Sequence, residues 1–376
     1  MDGKTGVRIP LLLIPSVAFE QIYEHLDFVD IINLASCSKK AVHMVKIYER
    51  LMRSTPVMDV VITNSCMSVE IRDDRHRTFM WSAHSGRDRK AAEAVSFMDI
   101  KVGGKQWTLS PYEHGWRKLG IESSDLIFWV KFLKDLFKSS ISLFSVKTYH
   151  AIDYAELLTE TNTFHKVETL DIGGMALDID ELAMFLDNVR GQNLKCKAII
   201  DYGFEYTKHV NFTGNIHVAG NWISHKTFLS LNCKQLYIYG DNVDERLVQQ
   251  YISQWLAGDK KTLEFLRFKR DIGPYNKSAI LKSIDCVPGS RKRQDAAPYY
   301  DDSIEYHRGS DIRRSDGVLA TLHVDRYGGQ PIVNFVVWYD PNPNDDGSED
   351  SDEDDLDVMN DVDLDDEDYN HPVVNY

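Results

Sequence analysis

Apolar positions in the first fifty residues recur at helical intervals. After Pro15 and Ser16 they fall at Phe19, Ile22, Tyr23 and Leu26, the i, i+3, i+4, i+7 spacing of one helix face. Ser16 stands where an N-cap belongs, with Pro15 just outside the start. Asp27 interrupts the pattern, and Phe28, Ile31, Ile32 and Ala35 open a second face at the same spacing. A polar break over 36–40 precedes a third helix over 41–51. Three short helices in about forty residues bury little apolar surface, so such a module needs a partner or a neighbouring domain.

The period then changes. Runs at 57–63, 68–71, 78–82 and 96–102 are rich in β-branched, aromatic and alternating residues, with Asn, Asp, Gly and Ser between them. They predict a small antiparallel sheet, with Gly103-Gly104 as a hairpin turn. Leu126, Trp129, Val130, Leu133, Leu136 and Phe137 then form a single stripe, with Ser123 and Ser124 as candidate caps.

From 143 to 270 strand-like runs (167–172, 198–201, 215–218, 235–239, 262–268) alternate with helical patterns near 180–190, 225–230 and 244–257. Their spacing is irregular but close to the leucine-rich-repeat period of about 20–29 residues. Stacked strand–helix units would share a continuous core and leave one face of a curved parallel sheet open. In that arrangement Leu247, Tyr251 and Trp255 are core residues. Residues 271–300 look like a loop, and 318–324 and 332–338 are strands around the turn Gly328-Gly329. The fold class is therefore α+β or α/β in four parts. These are a three-helix module over 1–55 and a β-rich connecting region with an amphipathic helix over 56–142. An irregular leucine-rich-repeat-like βα solenoid follows over 143–340, and a tail over 341–376.

Charge alters the picture only at the end. The net charge of −15 looks informative until it is located: residues 341–376 hold fifteen Asp and Glu and no Lys or Arg. The remaining 43 acids are matched by 43 bases, so the body is neutral and lacks the basic excess of a nucleic-acid-binding domain. The tail cannot bury enough apolar surface to fold alone, which predicts a disordered, rapidly proteolysed segment. Cysteines 37, 66, 196, 233 and 286 form no CxxC pair, which reads as reduced, buried thiols of an intracellular protein. Pro10 and Pro15 cut the apolar run 9–14, which is too short for a signal peptide, and no stretch is long enough to span a membrane. Cytoplasmic or nuclear residence is expected. The two glycosylation patterns beginning at Asn211 and Asn276 then carry no meaning.

No catalytic motif emerges: GxSxG, P-loop, GxGxxG and HExxH are all missing from the chain. Gly103-Gly104-Lys105 lacks the upstream glycine and the Ser/Thr of a phosphate loop. His43, His84 and His114 have no partner at metal-ligand spacing, and Cys37 reads as a small buried thiol. The basic triplet Arg291-Lys292-Arg293 reads as a solvated loop. No enzyme, metal or cofactor is expected.

The N-terminal segment is more specific. Ile9-Pro10-Leu11-Leu12-Leu13-Ile14-Pro15, then Phe19 to Leu26-Asp27, then Asp30-Ile31-Ile32 and the close Ser36-Cys37-Ser38-Lys39, resembles an F-box. Ala41 replaces the usual aromatic, a departure shared by nematode F-box proteins. Gly220-Asn221-Trp222-Ile223, Leu229 to Cys233, Leu247 to Gly258 and Thr262 to Leu266 resemble the type-2 F-box-associated region of the same family. Asp311 to Gly317 and the closing Val337-Trp338 look like that family's C-terminal hairpin. The resemblance implies a non-catalytic substrate-recognition adaptor of a Skp–cullin–F-box ubiquitin ligase. It also implies that Ile14, Pro15, Ile22, Leu26, Ile31 and Leu34 face a Skp-type adaptor, and through it a cullin. The C-terminal region would then bind a protein substrate through residues that no sequence code identifies. The competing readings are a repeat scaffold without ligase function and, from the tail, a chaperone of basic proteins.

Overall fold

A computed structural model describes residues 14–51, 55–84, 98–112, 115–120, 122–147, 154–159, 162–173, 177–198, 200, 204–289, 304–327 and 329–338. The acidic tail expected to be disordered and the basic triplet 291–293 expected as a solvated loop lie outside the described residues. His114 is outside them as well.

Three helices open the chain: α1 (Ser16–Glu24), α2 (Phe28–Cys37) and α3 (Lys39–Leu51). Ser16 is the first helical residue and makes no cap, because Pro15 occupies the cap position. The break at Asp27 is itself a cap: its carboxylate accepts from the Asp30 amide and starts α2. The polar break before α3 shrinks to Ser38, whose hydroxyl accepts from the Ala41 amide.

The three helices are not a free module. Phe28 meets Phe137 edge-on at 5.0 Å between ring centroids, and the Arg77 guanidinium lies 4.8 Å over the Phe28 ring. Arg77 is held in turn by Asp73 at 2.7 Å, and Lys46 pairs with Asp135 at 2.5 Å. The neighbouring domain that so small a helical segment requires is the rest of the chain.

Strands β1 (Val57–Thr63), β2 (Cys66–Arg72) and β3 (Thr78–His84) form an antiparallel meander. Strands β4 (Met98–Val102) and β5 (Lys105–Tyr112) form the hairpin expected at Gly103-Gly104, whose φ angles of 57° and 88° favour residues without a Cβ. β6 (Gly115–Leu119) pairs parallel to β3. Helix α4 (Ser123–Phe137) buries the whole predicted stripe, with Trp129 packed among Trp81, Trp107 and Trp116 at 5.4–5.9 Å. Neither Ser123 nor Ser124 caps it; Glu122 occupies the cap position and makes no side-chain cap bond.

The chain continues through β7 (Ser140–Lys147), α5 (Tyr154–Thr159), β8 (Val167–Ile172), α6 (Ile179–Asn188) and β9 (Asn193–Cys196). Next come β10 (Asn215–Ala219), α7 (His225–Ser230), β11 (Gln235–Tyr239), α8 (Glu245–Leu256) and β12 (Phe265–Lys269). After α9 (Lys277–Ile280) and β13 (Cys286–Pro288), β14 (Ser310–Arg313), β15 (Leu319–Tyr327) and β16 (Gln330–Trp338) close the chain as antiparallel strands.

Strands β7 to β12 are parallel neighbours in chain order, β16 joins β12, and β1 joins β7. The small β-rich region is therefore not a separate sheet, and the boundary between 142 and 143 falls inside β7. One register row runs Trp81, Val69, Val60, Phe144, Leu170, Leu194, Ile216, Leu236, Leu266, Phe335 and Leu322, every one buried. Side chains alternate across a strand, so this row and the residues two positions to either side build the core under the helices. The strand expected at 198–201 lies instead at 193–196, because Leu194 and Cys196 are the residues that continue the buried rows from Leu170 and Ile172. The loop expected over 271–300 carries the short α9 and β13. The overall class is a mixed α+β fold: N-terminal helices followed by a large mixed sheet with helices.

Candidate functional site

Two surfaces can engage other molecules, and each is built from particular elements. The first is the outer side of α1–α3. Among the described residues six large apolar side chains are exposed, and three of them, Val17, Ile22 and Ile47, lie on these helices. Ile22 follows Ala18 and precedes Leu26 by four residues, so the three share a stripe beside the buried Phe19 and Tyr23. Val17 stands on the opposite side of α1. Ile47 lies on α3 among exposed Lys40, His43 and Arg50, a lone apolar residue on a polar face.

Of the residues expected to face the adaptor, Pro15 and Ile22 are exposed. Ile14, Leu26 and Leu34 are half-buried against the core. Ile31 has no free surface at all (0% exposed). That assignment is corrected: Ile31 lies on the face of α2 that also buries Phe28, Ile32 and Ala35 in the core, so it cannot contact a partner without unfolding. Ile31→Ala should cost about 2–5 kcal/mol of stability by leaving a cavity. Denaturant unfolding would measure it; a loss below about 1 kcal/mol would contradict full burial. Sequence periodicity cannot separate Ile22 from Ile31, because both occupy apolar positions of amphipathic helices. Cys37 is likewise exposed at the end of α2, not buried, and Cys286 is exposed as well. Cys196 and Cys233 are the buried thiols, and burial pushes each up to about 12.

Inside the helical module the Tyr23 hydroxyl donates to Glu49 Oε1 at 2.5 Å, with both groups buried. Burial raises the Glu49 carboxyl above its usual range, although the Tyr23 hydrogen bond and Arg77 pull the other way. The folded form therefore holds a proton more readily than the unfolded chain. The stability contributed by this group is fullest below the unfolded carboxylate range and is lost as pH rises through the folded value. Glu49→Gln keeps an acceptor for Tyr23 but cannot ionise. It should raise the thermal midpoint at neutral pH and leave it unchanged in acid. An equal effect at both pH values would show that Glu49 does not titrate between the two states.

The second surface is the face of the parallel sheet opposite the helices. Here the register aligns Ser145, Asp171, Lys195, His217, Tyr237, Arg267 and Asn334 in one row, the polar counterpart of the buried one. The His217 ring lies 5.5 Å from that of Tyr237. Burial, with Lys197 and Lys195 adding to it, lowers the His217 pKa below its ordinary value. Arg267 donates to Asn334 at 2.7 Å, and Lys147 pairs with Asp171 at 3.1 Å. At the β12–β16 end a second small core of Phe265, Ile304, Tyr306, Leu319, Val336 and Trp338 covers this face. Ser145 at the β7 end is buried, so the accessible part of the row is Asp171, Lys195, His217 and Tyr237, on β8 to β11. No spacing rule in the sequence points to it, because each residue of the row comes from a different strand.

Among the described residues no group of His, Cys, Asp and Glu is placed to hold a metal, and no helix is long and apolar enough to cross a membrane. Cys66 lies 3.8 Å from His84 Nε2, but burial raises its thiol pKa, opposite to what a nucleophile needs.

Against known protein families, residues 11–51 match the F-box domain, and residues 207–268 match the F-box associated domain. The first match takes in α1–α3; the second takes in β10, α7, β11 and α8 and reaches into β12. No curated protein and no solved structure matches the chain. F-box domains generally bind a Skp-type adaptor and so link to a cullin, and F-box proteins are generally non-catalytic subunits of such ligases. The two domains together point to a substrate-recognition adaptor of a Skp–cullin–F-box ubiquitin ligase.

Proposed function

We propose that this chain is the substrate receptor of such a ligase, with the outer side of α1 and α2 docking on the Skp-type adaptor. The observation that carries the reading is the stripe of Ala18, Ile22 and Leu26 along α1, with Pro15 exposed at its start, on helices whose inner side packs against α4. Pro15, Ile22, Leu26 and Leu34 are the proposed contacts, with Ile14 supporting the turn into α1. Residues 143–340 act as a leucine-rich-repeat-like receptor presenting the open sheet face to a protein substrate. No catalytic residue is required. Tethering a substrate beside the charged conjugating enzyme raises its effective concentration to roughly the millimolar range.

The Pro10 to Pro15 opening and Ala41 favour the nematode branch of the family, and a cytoplasmic or nuclear location fits such a ligase. Co-purification tests the reading: the full chain should retain a Skp-type adaptor and a cullin, and a chain lacking residues 1–55 should retain neither. The runner-up, a scaffold without ligase function, draws on the Phe28–Phe137 and Lys46–Asp135 contacts, which give α1–α3 a structural role of their own. A full chain that is folded but retains no adaptor would promote it.

A further inference from the structure

The body carries equal numbers of acidic and basic residues, so a local excess of one sign reflects placement. One such excess lines a groove along the N-terminal ends of the parallel strands. Two adjoining hollows, of about 1150 and 600 Å³, share Lys134 and Ser139. Together they are lined by five cations, Lys131, Lys134, Lys138, Lys166 and Arg190, against three carboxylates. Two of the carboxylates are engaged by lysines from outside the groove: Asp135 by Lys46 and Asp187 by Lys208, each at 2.5 Å. The third, Glu168, accepts from the Ser142 hydroxyl.

Exposed Lys131, Lys166 and Arg190 have no carboxylate partner among the described residues. Lys134 and Lys138 have a structural use, since cations favour the last turn of a helix and α4 ends here. Lys166 and Arg190 have none, because they lie in the leads into β8 and β9. Those leads are held side by side by the Arg190 amide donating to the His165 carbonyl at 2.9 Å and the Val167 amide donating to that of Arg190 at 3.0 Å. The Ser139 hydroxyl, on a residue only 2% exposed, meets no hydrogen-bond partner in the chain. The groove is thus formed in advance, cationic, and holds an unsatisfied polar group.

We propose that this groove binds an acidic peptide segment of the substrate, with Lys166 and Arg190 pairing its carboxylates. The name substrate rests on the receptor reading above; the peptide chemistry rests on the groove. No Phe, Tyr or Trp lines the groove, and His165 is the single ring available to stack a base, so a nucleic acid fits less well. Gln192, Asn211 and Thr213 supply the polar rim that a peptide backbone uses.

The test uses the full chain and a fluorescein-labelled decapeptide of alternating glutamate and serine, read by fluorescence anisotropy. K166E/R190E should weaken binding at least roughly tenfold, as expected for loss of placed charge pairs. K101E/K226E, with the same change in net charge at exposed positions outside the groove and the sheet face, should stay within about twofold of the unsubstituted chain. Equal weakening by both double variants, or no binding by the unsubstituted chain, would overturn the proposal. So would displacement of the peptide by single-stranded oligothymidylate more effectively than by unlabelled peptide. Adaptor retention is measured separately on the same preparations: its loss in the unsubstituted chain would remove the receptor reading and leave the peptide result standing.

Discussion

Ile22→Asp should reduce retention of a Skp-type adaptor by at least about thirtyfold, the equivalent of an interface hot spot worth 2 kcal/mol or more. Ile22 is 38% exposed, so the charge is placed in water in the free chain and is buried only when a partner arrives. The unfolding midpoint should therefore move little. Pro15→Ala with Leu26→Ala should weaken adaptor binding by a similar factor, but with some loss of stability, because Leu26 is half-buried against the core. In both variants residues 143–340 keep their own packing, so substrate should be bound without being ubiquitinated. Pull-down, circular dichroism and a ubiquitination assay on the same preparations read the three effects. Undiminished adaptor binding by a folded Ile22→Asp variant would remove α1 from the interface.

Trp255→Ala should cost about 3–5 kcal/mol, the transfer free energy of a buried indole plus the cavity it leaves. The side chain is fully buried on α8, edge-on to Phe335 of β16 at 5.1 Å. The Arg314 guanidinium lies 4.9 Å over the same ring and pairs with Asp316 at 2.9 Å. Removing the indole therefore also leaves a mostly buried cation without its aromatic neighbour. The contact joins the parallel strands to the closing antiparallel ones, so the last strands should lose hydrogen-exchange protection first. A stability loss below about 1 kcal/mol would mean that α8 packs in another register.

Much of the chain's organisation follows from local pattern. The stripe of α4 is visible because six large apolar residues recur at helical spacing and all six are buried. Leu247, Tyr251 and Trp255 were expected in the core for the same reason, and they are there. The hairpins at Gly103-Gly104 and around Gly329 follow from turn chemistry, since positive φ at those points favours residues without a Cβ. Local pattern fails to separate two neighbouring segments of similar composition. Residues 198–201 and 193–196 are both short and partly apolar, and only pairing with β8 and β10 selects the second.

The functional surfaces divide in the same way. The F-box resemblance was legible because its chemistry lies in one continuous stretch, whose apolar positions and Pro15 can be read in order. Which of those positions are free was not legible. Ile22 and Ile31 have the same side chain in similar local patterns, and only the docking of α2 against the rest of the chain buries one and leaves the other at the surface. The polar row across the sheet and the cationic groove at its edge are further from the sequence still. Lys166 and Arg190 are twenty-four positions apart and become neighbours only because parallel strands align their N-terminal ends. Local periodicity determines which residues turn inward; long-range strand pairing alone decides which outward residues meet, since it joins segments whose separation along the chain carries no information about their distance in space.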